Sequence, residues 1–178
     1  MQKNWYVVYT RPHFEKKVAQ MLTKKRIDNF CPMNNKKIKS FRHNKIVLEP
    51  LFQSYVFVNI IESQIDLLKQ LEGIINLLYW NHNPAIIKID EIEIIKEFTK
   101  GYQSIELEKA KVNPGSFATV IDEPSYSLVG NGNLFSLKNK GIKIYLPSLG
   151  LIMIAKTKKE DYFTEETISL QNKSFSKP

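Results

Sequence analysis

Cysteine, histidine, glycine and long apolar runs are all scarce in this chain, and each scarcity removes a class of function. The single cysteine, Cys31, excludes an internal disulfide, and its simplest reading is a buried, inert thiol. Three scattered histidines, His13, His43 and His82, show no metal-ligand spacing, so neither a metal nor a cofactor is expected. No stretch approaches the ~18 consecutive apolar residues of a membrane helix. Met1-Gln2-Lys3-Asn4-Trp5 leads straight into a strand-like segment without a signal peptide's apolar core, so the expected location is the cytoplasm, away from membranes. The seven glycines form no phosphate-cradling loop, and no nucleophile elbow is visible. Asp66 with Glu72, or Asp90 with Glu93, read more simply as helix caps and surface groups than as acid–base pairs. An enzyme is therefore the least favoured class, and no catalytic residue is assigned.

What is present suits one or two modest cores: 178 residues, 43% hydrophobic and 25% charged. The net charge of +8 is unevenly spread. Residues 1–50 carry +9, residues 51–110 carry −4, and residues 111–178 carry +3. A basic excess held in the first third suits a surface near phosphates, where neutralisation releases counterions. A solvated lysine-rich surface explains the charge alone equally well.

The order of elements is legible. Trp5 to Tyr9 is an aromatic and β-branched run typical of a buried strand. Pro12 suits a helix's first turn, and from there Phe14, Val18, Met21 and Leu22 recur at helical spacing, with Lys16, Lys17, Gln20, Lys24 and Lys25 around the rest of the helix. Phe30 resumes extended chain, Asn34 to Lys39 and Lys45 to Leu48 read as two polar strands around a basic turn, and Tyr55 to Ile60 is the clearest strand. Ser63 with Asp66 resembles a capping box opening a helix of roughly ten residues that buries Ile65, Leu68 and Leu71 and stops at Gly73. Ile74 to Trp80 is a further strand, Asn81 to Pro84 a turn, and Asp90 with Glu93 opens a helix burying Ile94, Ile95, Phe98 and Tyr102. Strand, helix, hairpin with strand, helix, strand is the split βαβ order, predicting a ferredoxin-like sheet with helices on one face.

Beyond Tyr102 the character changes. Residues 103–111 alternate charges with few apolar groups and read as a linker between a first domain, 1–102, and a second, 112–160. Phe117 to Asp122, Gly141 to Leu146 and Leu151 to Lys156 have strand length and β-branched content, separated by turn residues, which predicts a small β-barrel. Residues 161–178 lack a periodic stripe and read as a flexible tail.

Three motifs carry a resemblance. Trp5-Tyr6-Val7-Val8-Tyr9-Thr10-Arg11-Pro12, then Glu15-Lys16-Lys17-Val18, then Glu49-Pro50-Leu51-Phe52-Gln53-Ser54-Tyr55-Val56-Phe57-Val58 are similar in order and spacing to the N-terminal domain signature of the NusG family. Thr10-Arg11-Pro12 followed by Glu15-Lys16-Lys17 most resembles the UpxY branch, paralogues akin to RfaH that act on surface-polysaccharide operons. The match covers residues 5 to about 100, including Asn83-Pro84-Ala85-Ile86-Ile87. In the C-terminal part, Asp122-Glu123-Pro124 departs from the glycine-proline turn usual in the family's KOW domain. The resemblance implies an α+β chain, a ferredoxin-like NusG N-terminal domain followed by an SH3-like, KOW-type barrel.

It also implies roles. Tyr9, Tyr55, Phe57 and Leu77 match a pocket gripping the clamp helices of RNA polymerase's largest subunit, and aromatic anchors suit that task. Arg11, His13 and Lys17 match positions meeting the non-template DNA strand, while Lys16, Lys17, Lys24, Lys25 and Arg26 also suit non-specific steering. Glu49 matches an interdomain contact. The C-terminal barrel is expected to reach a ribosomal protein, a termination factor or a regulatory protein, and the chain to be a monomer. The alternative for all four apolar positions is ordinary core packing, and the alternative function is a ferredoxin-like RNA-binding module stacking bases on Tyr55 and Phe57.

Overall fold

The computed structural model describes residues 2–39, 44–110, 134–137 and 141–155. The first aromatic run forms β1 (Asn4–Thr10), followed by α1 (Glu15–Lys24). The helix starts later than Pro12 suggests, because His13 takes a left-handed backbone, φ 65°, and the Phe14 N–H closes a turn on the Arg11 carbonyl at 3.1 Å. Next come β2 (Asp28–Phe30), the hairpin strands β3 (Met33–Lys39) and β4 (Asn44–Pro50), and β5 (Tyr55–Ile60).

A 3₁₀ turn at Glu62–Gln64 runs into a short α2 (Ile65–Lys69). This differs from the expected ten-residue helix capped by Ser63. The side-chain oxygen of Gln64 accepts the Ile61 N–H at 3.2 Å, and beyond Lys69 the N–H groups of Gln70 and Leu71 turn to carbonyls three residues back. Ile65 and Leu68 are nonetheless buried as the stripe predicts.

The run Ile74 to Trp80 is broken at Leu78. It gives β6 (Ile74–Leu77), then a small hairpin of β7 (Tyr79–Trp80) and β8 (Asn83–Pro84). Asn81 and His82 both have positive φ, 47° and 65°, the pattern of a two-residue turn matched to strand twist. β9 (Ile86–Ile87) then returns to β1, and α3 (Ile89–Gly101) follows, with Asp90 and Glu91 in its first turn where the helix dipole favours acids.

The first sheet runs β2-β5-β1-β6, antiparallel throughout, with β9 pairing β1 beyond the end of β6. β1 and β2, joined by α1, are separated by β5; β5 and β6, joined by α2, are separated by β1. That is the split βαβ order expected from the sequence. Strand alternation sorts the side chains. Tyr6, Val8, Val56, Val58, Ile60 and Leu77 pack with Val18, Leu22, Ile65 and Leu68 of α1 and α2. Trp5, Val7 and Phe57 point to the other face, where they share a core with Ile92, Ile95 and Phe98 of α3. A sheet covered on one face only is thus corrected: α3 covers part of the second face. Ile94 and Tyr102, expected within that core, are only partly buried beside it.

A second sheet has the order β10-β13-β12-β11, built from β10 (Glu106–Lys109), β11 (Leu134–Leu137), β12 (Gly141–Leu146) and β13 (Leu151–Ala155). Two of its strands coincide with segments predicted as β, whereas Phe117 to Asp122 lies outside the described residues. β10 falls inside the segment read as a linker. Its alternating Glu106, Leu107, Glu108 and Lys109 place a partly buried leucine on one side of a strand paired with β13. Ile144, Leu146, Met153 and Ala155 of this sheet belong to the same apolar cluster as α3 and Trp5.

Two polar contacts accompany that shared core. Asn34, 5% exposed, donates from Nδ2 to the Ile105 carbonyl at 2.9 Å and accepts the Ile105 N–H on Oδ1 at 3.1 Å. The Ser104 N–H donates to the Asn35 carbonyl at 3.0 Å. The chain leaving α3 is therefore tied to β3. The buried carboxylate of Glu91 accepts from the Ser148 hydroxyl at 2.6 Å and from the Ser148 N–H at 3.2 Å. Among the described residues, no helix is long and apolar enough to cross a membrane.

Candidate functional site

The α3 side of the first sheet is filled at the Trp5 end of β1 and open at the other end. Tyr9, the last residue of β1 to point this way, is 41% exposed. Tyr55 lies directly opposite on β5 and is half-buried. Their rings meet edge to face, centroids 5.9 Å apart at 64°. An edge-to-face pair contributes ~0.5–1.5 kcal/mol beyond area burial and leaves two rigid, amphipathic rings facing water. The neighbouring strand β6 meets β1 through an irregularity at Tyr9/Thr10, beside which Ile75 stands exposed.

The four apolar positions assigned to a polymerase pocket divide. Tyr9 and Tyr55 form the exposed pair. Phe57 is fully buried, with Phe52 edge-on at 5.3 Å and Phe30 at 6.1 Å. Leu77 is buried on the opposite face, in the α1/α2 core, because it pairs with Val8 and shares that residue's side. Phe57 and Leu77 are correctly placed in the ordinary-core alternative. The burial of Phe57 also leaves the imagined base-stacking platform with one ring, Tyr55, where it needs two.

The cationic positions divide as well. Arg11 and His13 are exposed in the turn before α1. Lys17 lies in the first turn of α1, its Nζ 2.8 Å from Glu72 and 5.0 Å from the Phe14 ring centroid. Hydrogen bonding and charge from Lys17, with a smaller contribution from Arg11, hold the Glu72 carboxyl below the usual carboxylate range. Lys24 and Lys25 are exposed at the far end of α1, about 11 Å from Lys17 along the axis at 1.5 Å per residue. Arg11 and Lys17 both act on Glu72, with His13 in the turn between them and Arg11 two residues beyond Tyr9, while Lys24 and Lys25 lie at the other end of α1. Lys16 uses its ammonium on the Leu48 carbonyl of the hairpin at 2.9 Å.

Glu49 pairs with Lys36 at 3.1 Å within the β3–β4 hairpin, and among the described residues it makes no ion pair with the second sheet. The carboxylate that does reach that sheet is Glu91. Its position was visible in the sequence, since Glu91 falls on the helical stripe of Ile95 and Phe98, where an acid has to find a buried donor. Burial, reinforced by the Glu15 charge, pushes the Cys31 thiol up to about 11. Such a thiol is a poor nucleophile.

The family model described as "Transcription termination factor nusG" matches residues 3–96, which is more than half of the chain and includes β1, the tyrosine pair and most of α3. The chain belongs to the NusG family. It is thus a NusG-family transcription factor, from a family that is not one of enzymes. A solved structure of Thermotoga maritima NusG, described by its domain interaction, is 17% identical, covers 88% of this chain and 94% of its own, and has a TM-score of 0.48. No curated protein shows a significant match.

Proposed function

We propose that this NusG-family protein is a transcription elongation factor that grips RNA polymerase through the Tyr9–Tyr55 end of its first sheet and suppresses pausing or termination. The observation that carries the reading is the tyrosine pair itself. It is an edge-to-face aromatic pair at the open end of the α3 side of the sheet, with Tyr9 exposed and Tyr55 half-buried, whereas Trp5, Val7 and Phe57 of that face are packed into the core. The clamp helices of the largest subunit are the partner implied by the family resemblance. The mechanism needs no bond-making: a factor that binds the elongating conformation better than the paused one shifts the population by its differential affinity.

Arg11, His13 and Lys17, which follow Tyr9 in the chain, are the groups best placed to meet the non-template strand, with Lys24 and Lys25 contributing steering charge. The finer placement, an antiterminator of UpxY type on surface-polysaccharide operons, is supported by Thr10-Arg11-Pro12 and Glu15-Lys16-Lys17. The second sheet is read as part of a KOW-type barrel that recruits a further protein.

Capture of core RNA polymerase by the full chain tests the reading. Wild type is expected to retain polymerase stoichiometrically and Tyr55→Ala to retain markedly less. Capture of RNA without polymerase, unaffected by Tyr55→Ala, overturns it in favour of an RNA-binding module.

A further inference from the structure

Ser54, the residue immediately before Tyr55, has a left-handed backbone, φ 62°, without being glycine. Such a conformation persists only where its surroundings over-determine it. Here the Ser54 peptide groups are held from two directions. The Ser54 carbonyl accepts the Thr10 N–H at 2.8 Å, which ties it to the residue following Tyr9. The Ser54 N–H donates to Oε1 of Glu15 at 2.7 Å.

Glu15 is itself anomalous. It is 4% exposed, and among the described residues it has no ion-pair partner. A glutamate opening a helix gains from the helix dipole just as well at the surface. Burial adds a desolvation cost that is offset only by hydrogen bonds to the charged form, and the one that decides its direction here is to Ser54. The carboxylate reaches across from α1 to fix the turn that launches β5. That turn sets where Tyr55 emerges, and through Thr10 it also sets the end of β1 carrying Tyr9.

We propose that Glu15 is a positioning residue for the tyrosine pair, its carboxylate holding the left-handed Ser54 turn so that Tyr9 and Tyr55 stand edge to face for the partner. The inference rests on the polymerase-contact reading for its consequence but not for its geometry. It makes no use of substrate chemistry and requires Glu15 only as a fixed acceptor.

The test uses the full chain with Glu15→Ala, Glu15→Gln, Ser54→Gly and the Glu15→Ala/Ser54→Gly double variant, read in two ways. One is the nuclear Overhauser effect between the Tyr9 and Tyr55 rings, which involves no partner. The other is affinity for core RNA polymerase. Glu15→Ala is expected to abolish the ring-to-ring effect and weaken polymerase binding about tenfold, the scale of one charge-assisted hydrogen bond. Glu15→Gln, which keeps an acceptor oxygen, should retain most of both. Ser54→Gly in the alanine background should restore part of both, because glycine takes the left-handed conformation without help. If Glu15→Ala unfolds the protein, Glu15→Met and Glu15→Met/Ser54→Gly, which fill the buried volume without an acceptor, carry the same comparison. A folded Glu15→Ala protein with the ring contact unchanged overturns the inference. A wild type that binds no polymerase, with the ring contact still dependent on Glu15, overturns the polymerase reading alone.

Discussion

Asn34→Ala should loosen the attachment of the second sheet more than any other single truncation in the hairpin. Asn34 is 5% exposed and satisfies both backbone groups of Ile105, itself 5% exposed. Alanine removes the donor and the acceptor together and leaves a buried N–H and a buried C=O without their partners. At ~1–3 kcal/mol for each unsatisfied buried group, the two together cost about 2–6 kcal/mol. For a chain of this length that lowers Tm by about 4–24 °C. Trp5 reports the loss, because it is 7% exposed in the core shared with the second sheet, whereas Trp80 is 74% exposed and changes little on unfolding. Urea titration followed by tryptophan emission gives the stability, and amide exchange at Ile105 locates it. Asn34→Asp is a sharper variant: it keeps the acceptor for the Ile105 N–H but turns a carboxylate oxygen toward the Ile105 carbonyl, so it should be no better than alanine near neutral pH. A change below ~0.5 kcal/mol in Asn34→Ala, with Ile105 exchange as slow as in wild type, would refute the reasoning.

Two further perturbations address charge. Glu72→Gln releases Lys17 from its 2.8 Å ion pair, so affinity for single-stranded DNA should rise about two- to fivefold and its salt dependence should steepen by about 0.7 of a logarithmic unit for the one added phosphate contact; an unchanged salt slope removes Lys17 from the DNA surface. Cys31 has its thiol raised to about 11 from an ordinary value of 9.0, so the folded chain keeps a proton that the unfolded chain loses. Its contribution is therefore constant below pH 9 and declines as pH rises from there toward 11, and urea midpoints of wild type and Cys31→Ala should converge over that window; parallel curves would show that the thiol titrates normally.

Much of the first domain was legible because its elements obey simple periods. β1 and β5 announce themselves through runs of aromatic and β-branched residues, and α1 through Val18 and Leu22 at helical spacing. The split order followed from counting those elements. What escaped was set by tertiary contacts. That α3 covers the Trp5 side of the sheet is not encoded in the helix's own stripe, which says only that one side is apolar. The burial of Phe57 and Leu77 was hidden for the same reason, since alternation tells which residues share a face but not which face is covered. β10 was masked by its charges: a strand with a single inward leucine looks like a linker until its partner is known. Glu15, Asn34 and Glu91 are buried polar groups whose donors and acceptors lie 39, 71 and 57 residues away, beyond any local pattern. Only Glu91 left a trace, an acid on an apolar stripe.

In the proposed function Tyr9 and Tyr55 face a protein partner, and a photo-crosslinking amino acid placed at Tyr9 measures that directly. In cell extract, or with purified core polymerase, the crosslink is predicted to join the largest subunit of RNA polymerase and to be lost when Tyr55→Ala is added. A crosslink formed only within the chain itself, or to RNA with polymerase present and untouched, would contradict it.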